Sequence, residues 1–380
     1  MRRKLLTCCR TSAELEALDK ELEQGGGEYR VQSNLVREKT GFRCSTCGTF
    51  YPMLEIHHGG ETIDPKSISK PLGPQRKFRK AADIFRGDHY YARSKKNLLR
   101  FDIDSGANAE LTGEVPLMAQ SAYLTVSADG RYAAAENFSG TLAIAELLTG
   151  EIIAKKRNFG GGPSARFLDD DSLICFRHDD GLYRWNFRED RQTLLWKPPA
   201  QWREPDGNSI VTCHHVLEPE PGRLVFHLRA GGENHGLILD GLTPGVPIRL
   251  PRSWAVSALS DSPGPERYTL AAGDQVLVYD REFTLVDQFP YPVLVTRSDG
   301  GGLFPISTFT GSPPRAVQLS PGGKWALLDY HTALLLLDRE HGAVRWCLHS
   351  HTGTTTNGGG FLDDHHLWYT WADSTYIMQI

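Results

Sequence analysis

No stretch of 18 consecutive apolar residues occurs in the 380-residue chain, so the sequence holds no helix long and apolar enough to cross a membrane. The start, Met1-Arg2-Arg3-Lys4-Leu5-Leu6-Thr7-Cys8-Cys9, has a charged head followed by only two apolar residues. That is too short for a signal-peptide core, and the expected location is the cytoplasm. Also missing are a Gly-x-Ser-x-Gly elbow, a P-loop and a dinucleotide fingerprint, which removes the commonest hydrolase and nucleotide-binding readings. The triple glycines at 160–162, 300–302 and 358–360 read as turns between sheets; none joins a strand to a helix as a phosphate cradle does. There is no excess of basic charge: the formal net charge is -4, which argues against a general nucleic-acid binder. Cysteine is sparse and unevenly placed. Four of the seven (Cys8, Cys9, Cys44, Cys47) fall in the first fifty residues, and Cys175, Cys213 and Cys347 stand singly in apolar runs. A secreted disulfide scaffold would spread and pair them; this set fits a reducing compartment with one metal-binding cluster.

What the chain has is a repeat. Turn-forming clusters recur at Arg86-Gly87-Asp88, Ser127–Arg131, Phe167–Asp170, Pro219–Arg223, Ser260–Ser262, Ser320–Lys324 and Phe361–Asp364, most of them about 41 residues apart. Each adjoins β-type apolar runs such as Leu142–Ala145, Leu182–Trp185, Val276–Tyr279 and Leu334–Leu337. About 41 residues is the length of a four-stranded propeller blade. Two steps are longer, about 51 and 60 residues, and contain the Pro/Gly-rich inserts Pro198–Asn208 and Tyr291–Pro314. The expected fold class is therefore all-β: a seven-bladed β-propeller with a small N-terminal helix and a zinc-ribbon-like segment. The seventh unit is incomplete, since the chain ends at Ile380 where its outer strand would begin. An unpaired edge is a liability. The expected closure is an outer strand from the N-terminal side, either the run Phe50–Ile56 or a strand close after it. The domains are then 1–49 (helix and ribbon) and 50–380 (propeller), with residues 60–80 lying over the surface as an irregular linker.

Ser127-Ala128-Asp129-Gly130-Arg131-Tyr132-Ala133 and Ser320-Pro321-Gly322-Gly323-Lys324-Trp325-Ala326 resemble the recurring turn of the WD40/YVTN-like propeller families. The Gly-His and Trp-Asp signatures of true WD40 repeats are absent. The resemblance implies a rigid ring of sheets that binds protein partners.

Ahead of the repeat, residues 11–24 read as an amphipathic helix. Thr11 and Glu14 fit a capping box, Leu15, Leu18 and Leu22 share one face, and Gly25-Gly26-Gly27 ends it. Cys44-x-x-Cys47-Gly48 has the form of a zinc knuckle: two thiolates at this spacing bind one ion, and Gly48 permits the tight turn. Two further ligands are needed, and the sequence offers Cys8 or Cys9 and His57 or His58. Such a zinc would be structural, because an all-protein ligand set leaves no open position for water. The pieces "ELEALDKEL", "YRV" and "FRCSTCGTFY" also resemble the N-terminal segment of some bacterial immunity-type proteins, which implies a protein partner, a toxin, neutralised by binding.

Fourteen histidines include the pairs His57-His58, His214-His215 and His365-His366. Adjacent residues on a strand point to opposite faces, so each pair supplies one inward ligand at most. His215 and His227, on successive strands of one unit, are the expected neighbours, with His178 and His351 on nearby loops. Inward histidines would make a metal-dependent propeller enzyme, a lyase or hydrolase, the alternative function. The leading one is a non-catalytic interaction scaffold. Its expected contact residues are Trp196, Trp202, Arg203, Tyr291, Phe304 and Phe309 on the two inserts, residue types that anchor interfaces. The carboxylates Asp169, Asp170, Asp171, Asp363 and Asp364 read as turn residues. The basic stretch 66–100 reads as a solvated face, and nucleic acid is not an expected partner.

Overall fold

The computed structural model describes residues 2–5, 35–78, 84–86, 89–94, 97–104, 108–110, 121–137, 140–157, 165–177, 180–202, 211–220, 222–251, 260–262, 267–298, 307–310, 313–330, 332–349 and 358–380. The expected helix over 11–24 lies outside them.

Among the described residues, seven antiparallel sheets lie along the repeat. The first comprises Ile84–Arg86, His89–Ser94, Asn97–Asp102 and Asn108–Glu110. The second runs from Ser121–Val126 to Ile152–Lys156 and the third from Ala165–Asp169 to Arg191–Trp196. The fourth has long strands at Thr212–Glu220, Arg223–Ala230 and Glu233–Asp240, with an outer strand split into Thr243–Pro244 and Ile248–Leu250. The fifth spans Ser260–Ser262 to Leu285–Pro290 and the sixth Ala316–Leu319 to Ala343–His349. The seventh holds Gly359–Phe361, His366–Trp371 and Ser374–Gln379, and takes Gln75–Phe78 as its fourth strand.

The middle strands are apolar on both faces because each sheet lies between two others, whereas outer strands such as Leu285–Pro290 are largely exposed. The middle strand Ala333–Asp338, for example, is buried at all six positions. Seven apolar clusters fill the seams. Tyr91, Leu98 and Val126 lie between the first and second sheets. Phe167, Trp185 and Ile144 lie between the second and third, and Phe176, Val216 and Leu237 between the third and fourth. Tyr268, Phe283 and Val225 join the fourth to the fifth, Val278, Val317 and Leu335 the fifth to the sixth, and Trp346, Tyr369 and Leu367 the sixth to the seventh. The seventh meets the first through Phe78 and Ile377 against Tyr90 and Phe101. There the Phe78 and Tyr90 rings stand edge to face at 5.4 Å, and Arg76 donates to the carbonyls of Ile103 and Asp104.

The turn carboxylates behave as expected. Asp169 accepts the Asp171 N–H at 3.0 Å and pairs with Arg184, and Asp363 accepts the N–H groups of His365 and His366 at 2.6 and 2.7 Å. Asp364 reaches the neighbouring sheet and accepts the Gly322 N–H at 2.6 Å.

Three expectations need correcting. Residues 60–80 are not a plain linker: they form the strands Glu61–Ile63 and Gln75–Phe78 and a 3-10 turn at Pro65–Ile68, which Asp64 caps through the Lys66 N–H. The run Phe50–Ile56 is not the outer strand of the seventh sheet. It divides: Phe50–Pro52 completes a ribbon with Leu35–Glu38 and Gly41–Cys44, whereas Leu54–His58 enters another sheet. Nor is the stretch from Tyr291 to Pro314 simply an exposed insert. Val293–Ser298 and Ser307–Thr310 are strands, flanked by Leu54–His58 with Glu61–Ile63 on one side and by Arg2–Leu5 on the other. The sheet so formed seats Leu54, Ile56 and Leu294 on the core between the fifth and sixth sheets. Arg297 fastens it to the ribbon: its N–H donates to the Met53 carbonyl (2.9 Å), and its guanidinium donates to the Pro52 carbonyl (2.8 Å) and pairs with Glu55 (3.1 Å). The expected boundary between residues 49 and 50 thus falls in the turn joining two paired strands of the ribbon.

Phe78→Ala is expected to destabilise the whole chain by about 3–5 kcal/mol, because Phe78 is only 7 % exposed and fills the seam between the last and first sheets. Leu148→Ala, at a position 81 % exposed, is expected to shift stability by less than about 0.5 kcal/mol. Chemical denaturation of both variants checks the pair; equal effects would contradict the seam.

Candidate functional site

The knuckle forms as a turn. Cys44 ends a ribbon strand, its N–H donates to the Thr49 carbonyl at 2.9 Å, and its carbonyl accepts the Gly48 N–H at 2.9 Å. Gly48 sits at φ 77°, a left-handed conformation that glycine adopts without strain. Cys44 is buried, and Cys47 is exposed with its Sγ 3.0 Å from Thr49 Oγ1. The structure does not bring His57 or His58 to them. His57 lies in the insert sheet opposite Val293, bonded to Glu55 and Thr62, and His58 takes a hydrogen bond with the backbone of Gly342. Cys8 and Cys9 lie outside the described residues. Among those described, the one cluster of three metal-ligand types is Asp338, Glu340 and His341. There the buried Asp338 is already held by His341 Nδ1 at 2.8 Å and by the Arg345 cation at 3.4 Å, as a turn cap.

The expected contact residues divide. Trp202, in a 3-10 turn at Ala200–Trp202, stands edge-on to Trp196 at 5.8 Å and stacks on the His235 ring at 4.0 Å. Both tryptophans pack on the core between the third and fourth sheets. Tyr291 is 7 % exposed, and its hydroxyl donates to the Gly273 carbonyl at 2.6 Å. All three brace the inserts; Tyr291 has little surface left for a partner, whereas Trp196 and Trp202 are half-buried. Arg203 and Phe304 lie outside the described residues. Phe309 is placed by its backbone, opposite Thr296 and Arg3 in the insert sheet.

The histidines of the fourth sheet do come together, with a change of partner. His215 is opposite His227 in register, but a bulge between Cys213 and His215 leaves His214 as the extra residue. It is the His214 ring that lies beside the His227 ring, 5.8 Å between centroids. His227 Nε2 is 3.3 Å from Asn234 Oδ1, and His214 Nε2 is 3.3 Å from Thr212 Oγ1. Burial lowers His227 to about 4, and the nearby charges of His214, Arg229 and His235 work in the same direction. Burial and the Arg166 cation lower His215. His178 and His351 lie outside the described residues.

Two polar residues that the sequence reading passed over sit near this cluster. Arg166, on the first strand of the third sheet, donates to the carbonyls of Ala165 (2.8 Å) and Val216 (2.7 Å), tying that sheet to the fourth. Glu136 is a buried carboxylate on the second sheet, and its charge acts on the thiols of Cys175 and Cys213. Desolvation first, and that charge second, holds Cys175 well above the ordinary thiol range, so it is no nucleophile at neutral pH. Cys213 is raised to about 12, mainly by burial. A lone Glu closing the apolar run Tyr132–Asn137 was the available signal.

The sequence matches no family model and none of the curated proteins. Among solved structures the chain is similar to the β-propeller domain of Cps50 (Swd1) from Myceliophteria thermophila. The identity is 13 % and the TM-score 0.53, over 82 % of this chain and 99 % of that domain. The fold is a β-propeller. At that identity the likeness extends to the fold alone.

Because His227 is neutral when folded and takes up a proton near 6.5 when unfolded, the unfolded chain binds more protons between pH 6.5 and about 4. The stability it contributes is complete above pH 6.5 and is lost as pH falls through that window, by up to about 3 kcal/mol. Denaturation midpoints from pH 7 to 4 should fall more steeply for the native chain than for His227→Gln. Parallel curves would contradict this.

Proposed function

We propose that this chain is a non-catalytic protein-interaction scaffold: a seven-bladed β-propeller in which residues 75–78 supply the outer strand of the last blade. The observation that carries the reading is the division of labour among the polar groups. Some of the described polar contacts close turns within a sheet, and others tie sheet to sheet, as Arg166 ties to Val216, Arg223 to the Arg281 carbonyl (2.7 Å) and Arg339 to Asp287. The buried thiols of Cys175, Cys213 and Cys347 are held in their unreactive form. A rigid frame whose polar chemistry is spent on holding its own blades suits binding through loops.

The contact surface in this reading is carried by the two inserts, with Arg203, Phe304 and Phe309 as contact residues and Trp196, Trp202 and Tyr291 as the braces behind them. The N-terminal resemblance to immunity-type proteins supplies the class of partner, a toxin. The ribbon holds a structural zinc through Cys44 and Cys47, with Cys8 and Cys9 supplying the two further ligands, since His57 and His58 are engaged in the insert sheet.

Two measurements test this. Arg203→Glu with Phe304→Ala and Phe309→Ala should weaken capture of a partner from the source cell by at least about tenfold, as loss of interface anchors does. Undiminished capture would overturn the assignment of the surface. Elemental analysis of the purified chain should find about one zinc per chain, lost in Cys44→Ser/Cys47→Ser. Zinc that persists in that variant would remove the ribbon site.

A further inference from the structure

We propose that His214 and His227 form a chelating pair for a divalent transition ion of the nickel, copper or zinc class, on the first two strands of the fourth sheet. This site is separate from the ribbon thiols.

Three observations carry it. The first is the bulge. In a regular strand His214 and His215 would face opposite sides and the residue paired with His227 would be His215. The extra residue between Cys213 and His215 breaks that alternation and brings the His214 ring beside His227. Bulges commonly re-aim a side chain in this way next to functional sites. The second is distance. A nitrogen–metal bond of about 2.0–2.1 Å puts an imidazole centroid about 3.2 Å from its ion, so two rings on one ion lie at most about 6.4 Å apart. The observed 5.8 Å is inside that limit.

The third is the surrounding shell. Metal-binding imidazoles hold their second nitrogen in a hydrogen bond, which sets the tautomer. Here His227 Nε2 meets the Asn234 amide oxygen and His214 Nε2 meets the Thr212 hydroxyl, each at 3.3 Å. The Asn234 amide oxygen only accepts, so His227 carries its proton on Nε2 and its ligand lone pair on Nδ1, and the Thr212 hydroxyl, which donates or accepts, allows His214 the same tautomer. Burial keeps His227 uncharged at neutral pH, the state a ligand requires. His214 is exposed, which gives an ion a way in and leaves room for water to complete its coordination. Imidazole pairs suit nickel, copper and zinc in preference to magnesium or calcium.

The test is calorimetric titration of the full-length chain with nickel chloride at pH 7.5, repeated on His214→Ala, His227→Gln and His215→Ala. His214 is on the surface, so His214→Ala keeps the fold, which its unfolding midpoint without metal verifies. The expected result is one nickel site in the native chain, retained in His215→Ala and weakened at least about tenfold in His214→Ala and His227→Gln. Nickel should also raise the melting temperature of the native chain but not that of His214→Ala. Unchanged affinity in His214→Ala, or loss in His215→Ala with His214→Ala unaffected, would overturn the pair. Because the comparison is made at His214, a failure of the zinc ribbon or of the scaffold reading would not alter the outcome.

Discussion

Among the described residues, the middle strands of the repeat's sheets are largely buried on both faces, and no such sheet can hide both without neighbours. That constraint governs the rest. A strand such as Ala333–Asp338, buried along its whole length, is stable only if a second sheet lies against each side. A linear stack would leave two apolar faces in water. The seam at Phe78, Ile377, Tyr90 and Phe101, where the last sheet meets the first, leaves none. The sheets are joined by polar ties at their ends, with Arg166, Arg223, Arg339 and Asp364 each reaching to the next one. Burial supplies the free energy and the ties fix the register between sheets.

The N-terminal segment is part of this economy. Residues 50–78 run from the ribbon through the insert sheet to the outer strand of the seventh sheet. The insert between the fifth and sixth sheets does not hang free, because it is paired on both sides by chain from before the first sheet. Arg297, half-buried and bonded to Pro52, Met53 and Glu55, is the joint between ribbon and insert. The ribbon, the insert and the closing strand therefore form one mechanical path. An ion at the ribbon or a partner at the insert would act on the same segment.

Much of the architecture was legible in the sequence, since alternating and continuous apolar runs separated by Asp/Gly turns recur at a blade's length. The turns behaved as their composition required, with Asp169 and Asp363 accepting local N–H groups. The closing strand was harder to see. Closure by chain from the N-terminal side was expected, through Phe50–Ile56 or a strand close after it, but Gln75-Arg76-Lys77-Phe78 exposes three of its four residues and carries no apolar pattern to single it out. The strand Val293–Ser298 had a β signature, but its flanking Pro and Gly residues made the whole region read as a loop. At the candidate site the fourth sheet's histidines were visible and their pairing was not. Strict alternation selects His215, and a one-residue bulge selects His214. Bulges leave little trace in a single sequence. Of the aromatic residues expected at the contact surface, Trp196, Trp202 and Tyr291 pack against their own protein.

The most direct test of the account is amide hydrogen exchange on the intact chain at the junction of its two ends. If Gln75–Phe78 is the outer strand of the last sheet, the amides pairing it with Thr375–Met378 exchange only with global unfolding, as slowly as those of Ala333–Asp338. Exchange of residues 75–78 at the rate of an exposed loop, while the other strands stay protected, would show that the circle of sheets is not closed by this segment.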